Sequence, residues 1–125
     1  MDKATLVGLD VETGARIVSV LEDAGIAVKV ALWMVTSEYE AGRLVLASSS
    51  LDQVHPLRAY ETVFEILHGK FVHETPLLLV LRMRDPFIQS LRQLFSKTES
   101  VEGMRLGGQM IGNRFIEDGY VYRIR

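Results

Sequence analysis

The stretch Met104–Arg125, MRLGGQMIGNRFIEDGYVYRIR, sets the register of the fold. Strand-like residues flank two competing turn signals in it. Gly112-Asn113 places glycine first, the preference of a two-residue type II′ loop, whereas Asp118-Gly119 suits a type I′ turn. A turn at Asp118-Gly119 sets Phe115 against Tyr122 but also Arg114 directly against Arg123, and like charges facing across a strand pair are destabilising. A turn at Gly112-Asn113 instead pairs Ile111 with Arg114, Met110 with Phe115 and Gln109 with Ile116, and brings Gly108 and Gly107 opposite Glu117 and Asp118. This second register is the expected one. Glu117 and Asp118 then lie mid-strand, where acids are depleted, and side-chain alternation sends them to opposite faces. Two carboxylates so placed cannot share a metal ion or act as an acid–base pair. The face carrying Asp118 is expected to carry Arg105, Arg114, Ile116, Tyr120 and Tyr122 as well.

Upstream of this tail, Leu77–Arg82 reads as a buried strand. Asp85-Pro86 is an N-cap followed by proline in the first helical turn. The helix it opens runs to about Phe95 with Phe87, Ile88, Leu91, Leu94 and Phe95 inward, and Ser96–Gly103 is a polar loop. Pro56, after the Ser48–Pro56 loop, starts a helix to His68 that Gly69 closes. Its stripe of Leu57, Tyr60, Val63, Phe64 and Leu67 is expected to face a core. Val28–Thr36, apolar on both faces apart from Lys29, has the pattern of a central strand. Arg43–Ser49 is its hairpin partner across the loop Ser37–Gly42. Asp10 is expected to cap a helix to about Ala24 with Gly25 as its stop, and Gly14 weakens the first half of that helix. The order α-β-β-α-β-α-β-β predicts one α+β domain over residues 1–125. It has about five strands in a mixed sheet and three helices packed chiefly on one face. The two strand–helix–strand passages are expected as right-handed parallel crossovers.

Bulk properties bound the function. The chain of 125 residues is long enough for a sizeable core. A mean hydropathy of +0.16 fits either a partner surface or scattered exposed apolar residues. The net charge of −2 argues against non-specific nucleic-acid or membrane binding as the main activity. Residues 1–50 hold four basic and seven acidic groups and residues 51–125 hold ten and nine. The excess of Arg82, Arg84, Arg105, Arg114, Arg123 and Arg125 in the second part is read as arginines snorkelling from the sheet. Cysteine is absent, which excludes disulfides, zinc–thiolate sites and thiol catalysis and fits a reducing compartment. Ala4–Leu9 is too short for a signal-peptide core, and the apolar runs Val30–Val35 and Leu77–Leu81 are far short of a membrane span. The expected location is cytoplasmic, with no membrane contact.

Candidate chemistry is sparse. His55, His68 and His73 lack ligand spacing, so capping or surface roles are expected, with no metal and no cofactor. Glycines 103, 107, 108 and 112 precede a strand rather than opening a helix, unlike a phosphate loop. Ser48-Ser49-Ser50 lacks a nucleophile elbow and is read as turn chemistry. Glu38, Glu40 and Asp52, with Lys29 and Arg43 nearby in sequence, lack the E-x-K element of a small metal-dependent nuclease. Trp33 is expected in the core rather than as a stacking platform.

Four segments carry a resemblance: Val28–Trp33, Arg43–Ser48, Asp85-Pro86, and Ile116–Arg123. Together they resemble a family of small bacterial proteins of uncharacterised function. The resemblance implies a single domain of conserved length and transfers no activity or site residue.

These readings converge on a non-catalytic interaction protein. It is expected to bind another protein, or itself as a homodimer, through its sheet edge or the strand Arg114–Arg125, which ends the chain and is expected at a sheet edge. Arg114, Asp118, Tyr120, Tyr122 and Arg123 are the expected contact residues, since arginine and tyrosine are enriched at interface hot spots. One alternative is a metal-dependent hydrolase of nucleic acid or another phosphoester, using Glu117 or Asp118 with Asp52, Glu74 or a histidine. Another is a non-catalytic nucleic-acid binder using the basic groups between Arg82 and Arg125.

Overall fold

The computed structural model describes residues 8–36, 42–68, 70, 77–98 and 100–125, with side chains from residue 11 onward. The expected loop at 37–41 and the residues Gly69, His73 and Glu74 lie outside the described residues. The helices are α1 (Gly8–Asp23), α2 (Pro56–Leu67) and α3 (Pro86–Leu94). The strands are β1 (Val30–Val35), β2 (Arg43–Ala47), β3 (Leu78–Val80), β4 (Arg105–Leu106), β5 (Gln109–Ile111), β6 (Arg114–Ile116) and β7 (Asp118–Ile124). Five strands form a mixed sheet in the order β3-β2-β1-β7-β4, and β5 and β6 make a separate two-stranded sheet. This is the expected α+β architecture and element order.

β1 is buried throughout because both faces of the sheet are covered. Ala31, Trp33 and Val35 meet Ile17 and Leu21 of α1 and Ala59, Val63 and Leu67 of α2. Val30, Leu32 and Met34 point the other way, to Phe87, Ile88 and Leu91 of α3 and to Ile111 and Ile116 of the small sheet. Two helices therefore share one face, and the third packs on the other.

Local chemistry explains the helix ends. Gly25, at φ 93°, stops α1 as expected. The amide of Ile26 donates to the Leu21 carbonyl (2.9 Å) and that of Gly25 to the Glu22 carbonyl (3.0 Å), a Schellman arrangement. At its start α1 is already helical at Gly8, so Asp10 lies inside the helix rather than at its cap. His55 caps α2 through Nδ1, which accepts from the Leu57 amide (3.2 Å). Asp85 caps α3 as expected, its Oδ1 accepting from the Phe87 amide (2.9 Å).

Three packing expectations are corrected. α2 buries the ridge Ala59, Val63 and Leu67, spaced four apart, and leaves Leu57 65% and Phe64 45% exposed. The helix lies against α1 as well as the sheet, so its buried stripe is turned from the one that hydropathy alone suggests. β3 is a half-buried edge strand rather than a buried one, because among the described residues β2 alone pairs with it. Leu94 is exposed because the core side of the last turn of α3 is taken by Leu91, with Phe95 packed beside it.

β2 and β3 are parallel neighbours joined through α2, as expected. The passage from β3 to β4 is different. β1 is antiparallel to both β2 and β7, and β4 is antiparallel to β7, so β4 runs opposite to β3. The segment containing α3 carries the chain across one face, from one edge of the sheet to the other.

Candidate functional site

The turn at Gly112-Asn113 forms as the register argument requires. Ile111, Met110 and Gln109 face Arg114, Phe115 and Ile116. Gly112 has φ 58° and no described non-glycine residue has positive φ, which is the type II′ pattern. The same register continues through the base of the hairpin, where Leu106 faces Gly119 and Arg105 faces Tyr120. Beyond them, Val121 exchanges hydrogen bonds with Met104 and Gly103.

The hairpin is nevertheless interrupted at Gly107-Gly108 opposite Glu117-Asp118, and there the chain passes from the small sheet into the large one. Gly108 has φ 63°, open to glycine and strained for other residues. This break accounts for two acids in strand-like sequence, and it inverts the faces. Ile116 enters the α3 core, while Tyr120 and Tyr122 pack toward α1. Arg114 and Ile116 thus leave the face assigned to Asp118, whereas Arg105, Tyr120 and Tyr122 stay on it.

A second irregularity follows. Leu32 faces Val121 but Ala31 faces Arg123, so Tyr122 is an extra, bulged residue. The bulge turns both Tyr122 and Arg123 toward α1. The Tyr122 hydroxyl donates to the Val11 carbonyl (2.6 Å). Arg123 donates from one nitrogen to Glu22 Oε2 (2.8 Å) and to the Val28 carbonyl (3.0 Å). Glu22 Oε2 also accepts from the Val28 amide (2.7 Å). That backbone bond, assisted by the Arg123 charge and opposed by partial desolvation, holds the Glu22 carboxyl below its ordinary pKa.

The five expected contact residues therefore separate. Arg114 stacks on Phe87 of α3, its guanidinium carbon 5.9 Å from the ring centroid. Asp118 accepts two bonds from Arg105 (2.8 and 3.0 Å) and one from the Gly119 amide (2.9 Å). Arg123 clasps the segment after α1. Tyr120 and Tyr122 stay together, their rings edge to face with centroids 5.2 Å apart. β7 is not an edge strand as expected, since it lies between β1 and β4. β4, however, is two residues long, and bonds from residues 103–106 reach β7 only as far as Val121 among the described residues.

Just there a cavity of about 260 Å³ opens to solvent. Tyr120 and Tyr122 line it with Ala15 and Val18 of α1 and with Glu102 and Gly103. Ala15, Glu102 and Gly103 are exposed, the tyrosines half-buried. The sequence singled out the tyrosines. It did not connect them with Ala15 and Val18, which join this surface only once α1 lies across β7.

Asp52, offered for a metal site, stands elsewhere. Its carboxylate accepts from the Met83 amide (3.3 and 3.2 Å), while Arg82 donates to the carbonyls of Leu51, Asp52 and Val54. This clasp follows β2, whose Ala47 faces Val30, whereas Asp118 faces Val35. The two carboxylates thus lie toward opposite ends of β1, a strand roughly 17 Å long at the usual rise per residue. Among the described residues no group of three or more His, Asp or Glu side chains is placed to hold a metal ion. No described helix is long and apolar enough to cross a membrane.

Comparison with known proteins gives no matching family model, no matching curated protein and no matching solved structure.

Proposed function

We propose that the chain is a non-catalytic interaction module that engages another protein chain, or a second copy of itself, at the end of its last strand. The observation that carries this reading is the solvent-open cavity floored by Tyr120 and Tyr122, at the point where β4 ceases to flank β7. Paired tyrosines offer a large apolar area with hydroxyl groups at their tips, at small conformational-entropy cost. A strand end beside such a floor suits an extended segment, with main-chain pairing for affinity and the cavity for a side chain.

The structure also dictates the variant to use. Tyr122 anchors α1 through Val11, so replacing it disturbs the fold as well as the surface. Ala15 is exposed and lines the same cavity, so Ala15→Arg fills it with little effect on the core. The test is affinity capture from native cells with wild type and Ala15→Arg in parallel, with sedimentation velocity of the purified chain for self-association. The expected result is a protein, or a dimer, present with wild type and lost with Ala15→Arg at unchanged thermal stability. Identical capture and identical sedimentation for the two chains refute the proposal.

A further inference from the structure

The outer edge of β3 lies away from this cavity, at the opposite end of the strand order. Leu44 and Leu46 of β2 bond the alternate residues of the neighbouring strand: the Leu44 amide donates to the Leu77 carbonyl and the Leu81 amide to the Leu46 carbonyl, each at 2.9 Å. In a parallel ladder this aims the amides and carbonyls of Leu78 and Val80 outward. One of those outward amides is already taken. Val80 donates to the hydroxyl of Tyr60 on α2, at 3.0 Å. Tyr60 is held in place by a stacking contact with Phe64, ring centroids 6.5 Å apart. Leu57, Phe64 and Leu77, on α2 and at the foot of β3, are exposed.

We propose that this edge is a pairing surface for a second copy of the chain and that Tyr60 guards it. The edge is self-complementary. In a two-fold antiparallel pair, Leu78 of one copy faces Val80 of the other, and each such pair exchanges both of its main-chain bonds, which requires the Val80 amide that Tyr60 occupies. The segment Leu77–Leu81 carries no charge, so no like charges face each other across the paired strands themselves. The tyrosine hydroxyl satisfies the amide inside one chain and thereby removes a donor from each side of the pair. This surface is independent of the tyrosine-floored cavity, and the two proposals fail separately.

The test is Tyr60→Phe, which keeps the ring and its stacking and deletes the hydroxyl. Sedimentation equilibrium of the purified chain reads the result. Tyr60→Phe is expected to dimerise at a concentration lower than wild type by about tenfold or more, since two donors are released per pair. Adding Val80→Pro is expected to cancel the gain, because proline removes the freed amide while breaking no bond to β2. Should proline unfold the chain, Leu77→Lys blocks the same edge from an exposed position. A Tyr60→Phe chain that associates no more tightly than wild type overturns the proposal. So does an association that the edge-blocking substitution leaves intact.

Discussion

Gly14→Ala sets helix propensity directly against packing. In an exposed helix interior the substitution stabilises by about 1 kcal/mol, because glycine loses more backbone freedom on folding. Here a Cβ at position 14 would stand 2.1 Å from the Tyr122 hydroxyl oxygen, 2.5 Å from its Cζ and 2.7 Å from Trp33 Nε1. The tyrosine ring has to withdraw by roughly an ångström or more to reach ordinary contact. Withdrawal stretches its 2.6 Å bond to the Val11 carbonyl, a loss of about 1 kcal/mol. Trp33 is buried in the core and cannot yield freely, and overpacking of this kind costs about 1–3 kcal/mol. The sum favours packing: Gly14→Ala is expected to destabilise by about 1–3 kcal/mol, a drop of several degrees in Tm. Urea denaturation at fixed temperature measures it, and the double-mutant cycle with Tyr122→Ala identifies the cause. In the Tyr122→Ala background the two closest atoms are gone, and the cost is expected to shrink by about 1 kcal/mol or more, with the Trp33 contact remaining. A neutral or stabilising Gly14→Ala in the wild-type chain would refute the packing argument. A cost that persists undiminished without Tyr122 would show that the tyrosine is not the obstacle.

The turned stripe of α2 gives a paired prediction: Leu67→Ala, at a buried position, costs about 2–5 kcal/mol, whereas Leu57→Ala changes stability by no more than about 0.5 kcal/mol. Equal losses in chemical denaturation would return Leu57 to the core. Glu22→Gln carries a pH signature. The carboxyl sits below its ordinary value in the folded chain because it accepts the Val28 amide, so the charged form's contribution is fully present above the unfolded value, 4.5, and fades as pH falls through the folded value. Wild type should therefore exceed the variant in stability at neutral pH and lose that lead in acid. A difference that stays constant across that range would show that the charge on Glu22 contributes nothing.

Much of this was legible in particular residues. The conflict of Arg114 with Arg123 was enough to place the turn at Gly112-Asn113, and the register it set holds from Ile111–Arg114 back to Arg105–Tyr120. Asp85-Pro86 and Gly25 marked helix ends because capping chemistry is local. What failed depends on partners distant in sequence. Gly14 read as a weak point in a helix, yet its missing side chain leaves room for a tyrosine more than a hundred positions away. The Gly107-Gly108 pair looked like a passive stretch of hairpin, and nothing local shows that the chain changes sheets there. The bulge at Tyr122 breaks the strict alternation on which the assignment of faces relied. For the candidate site, side-chain type picked out the tyrosines and the hairpin register brings Gly103 beside them, but the wall formed by α1 is one that only tertiary packing brings near.

The position of β7 bears on how the chain comes into being. Strands β1 and β2 are made early and pair with each other, but the other flank of β1 is filled by residues 118–124. A ribosome that has released β1 and β2 but not yet residues 118–124 has therefore released a hairpin whose most apolar strand lacks half its hydrogen bonds. Every nascent copy passes through that interval with an unfinished sheet, which closes only when residues 118–124 have been made and have left the ribosome. Events that delay or shield that last pairing thus act on a sheet whose central strand is completed from the far end of the sequence.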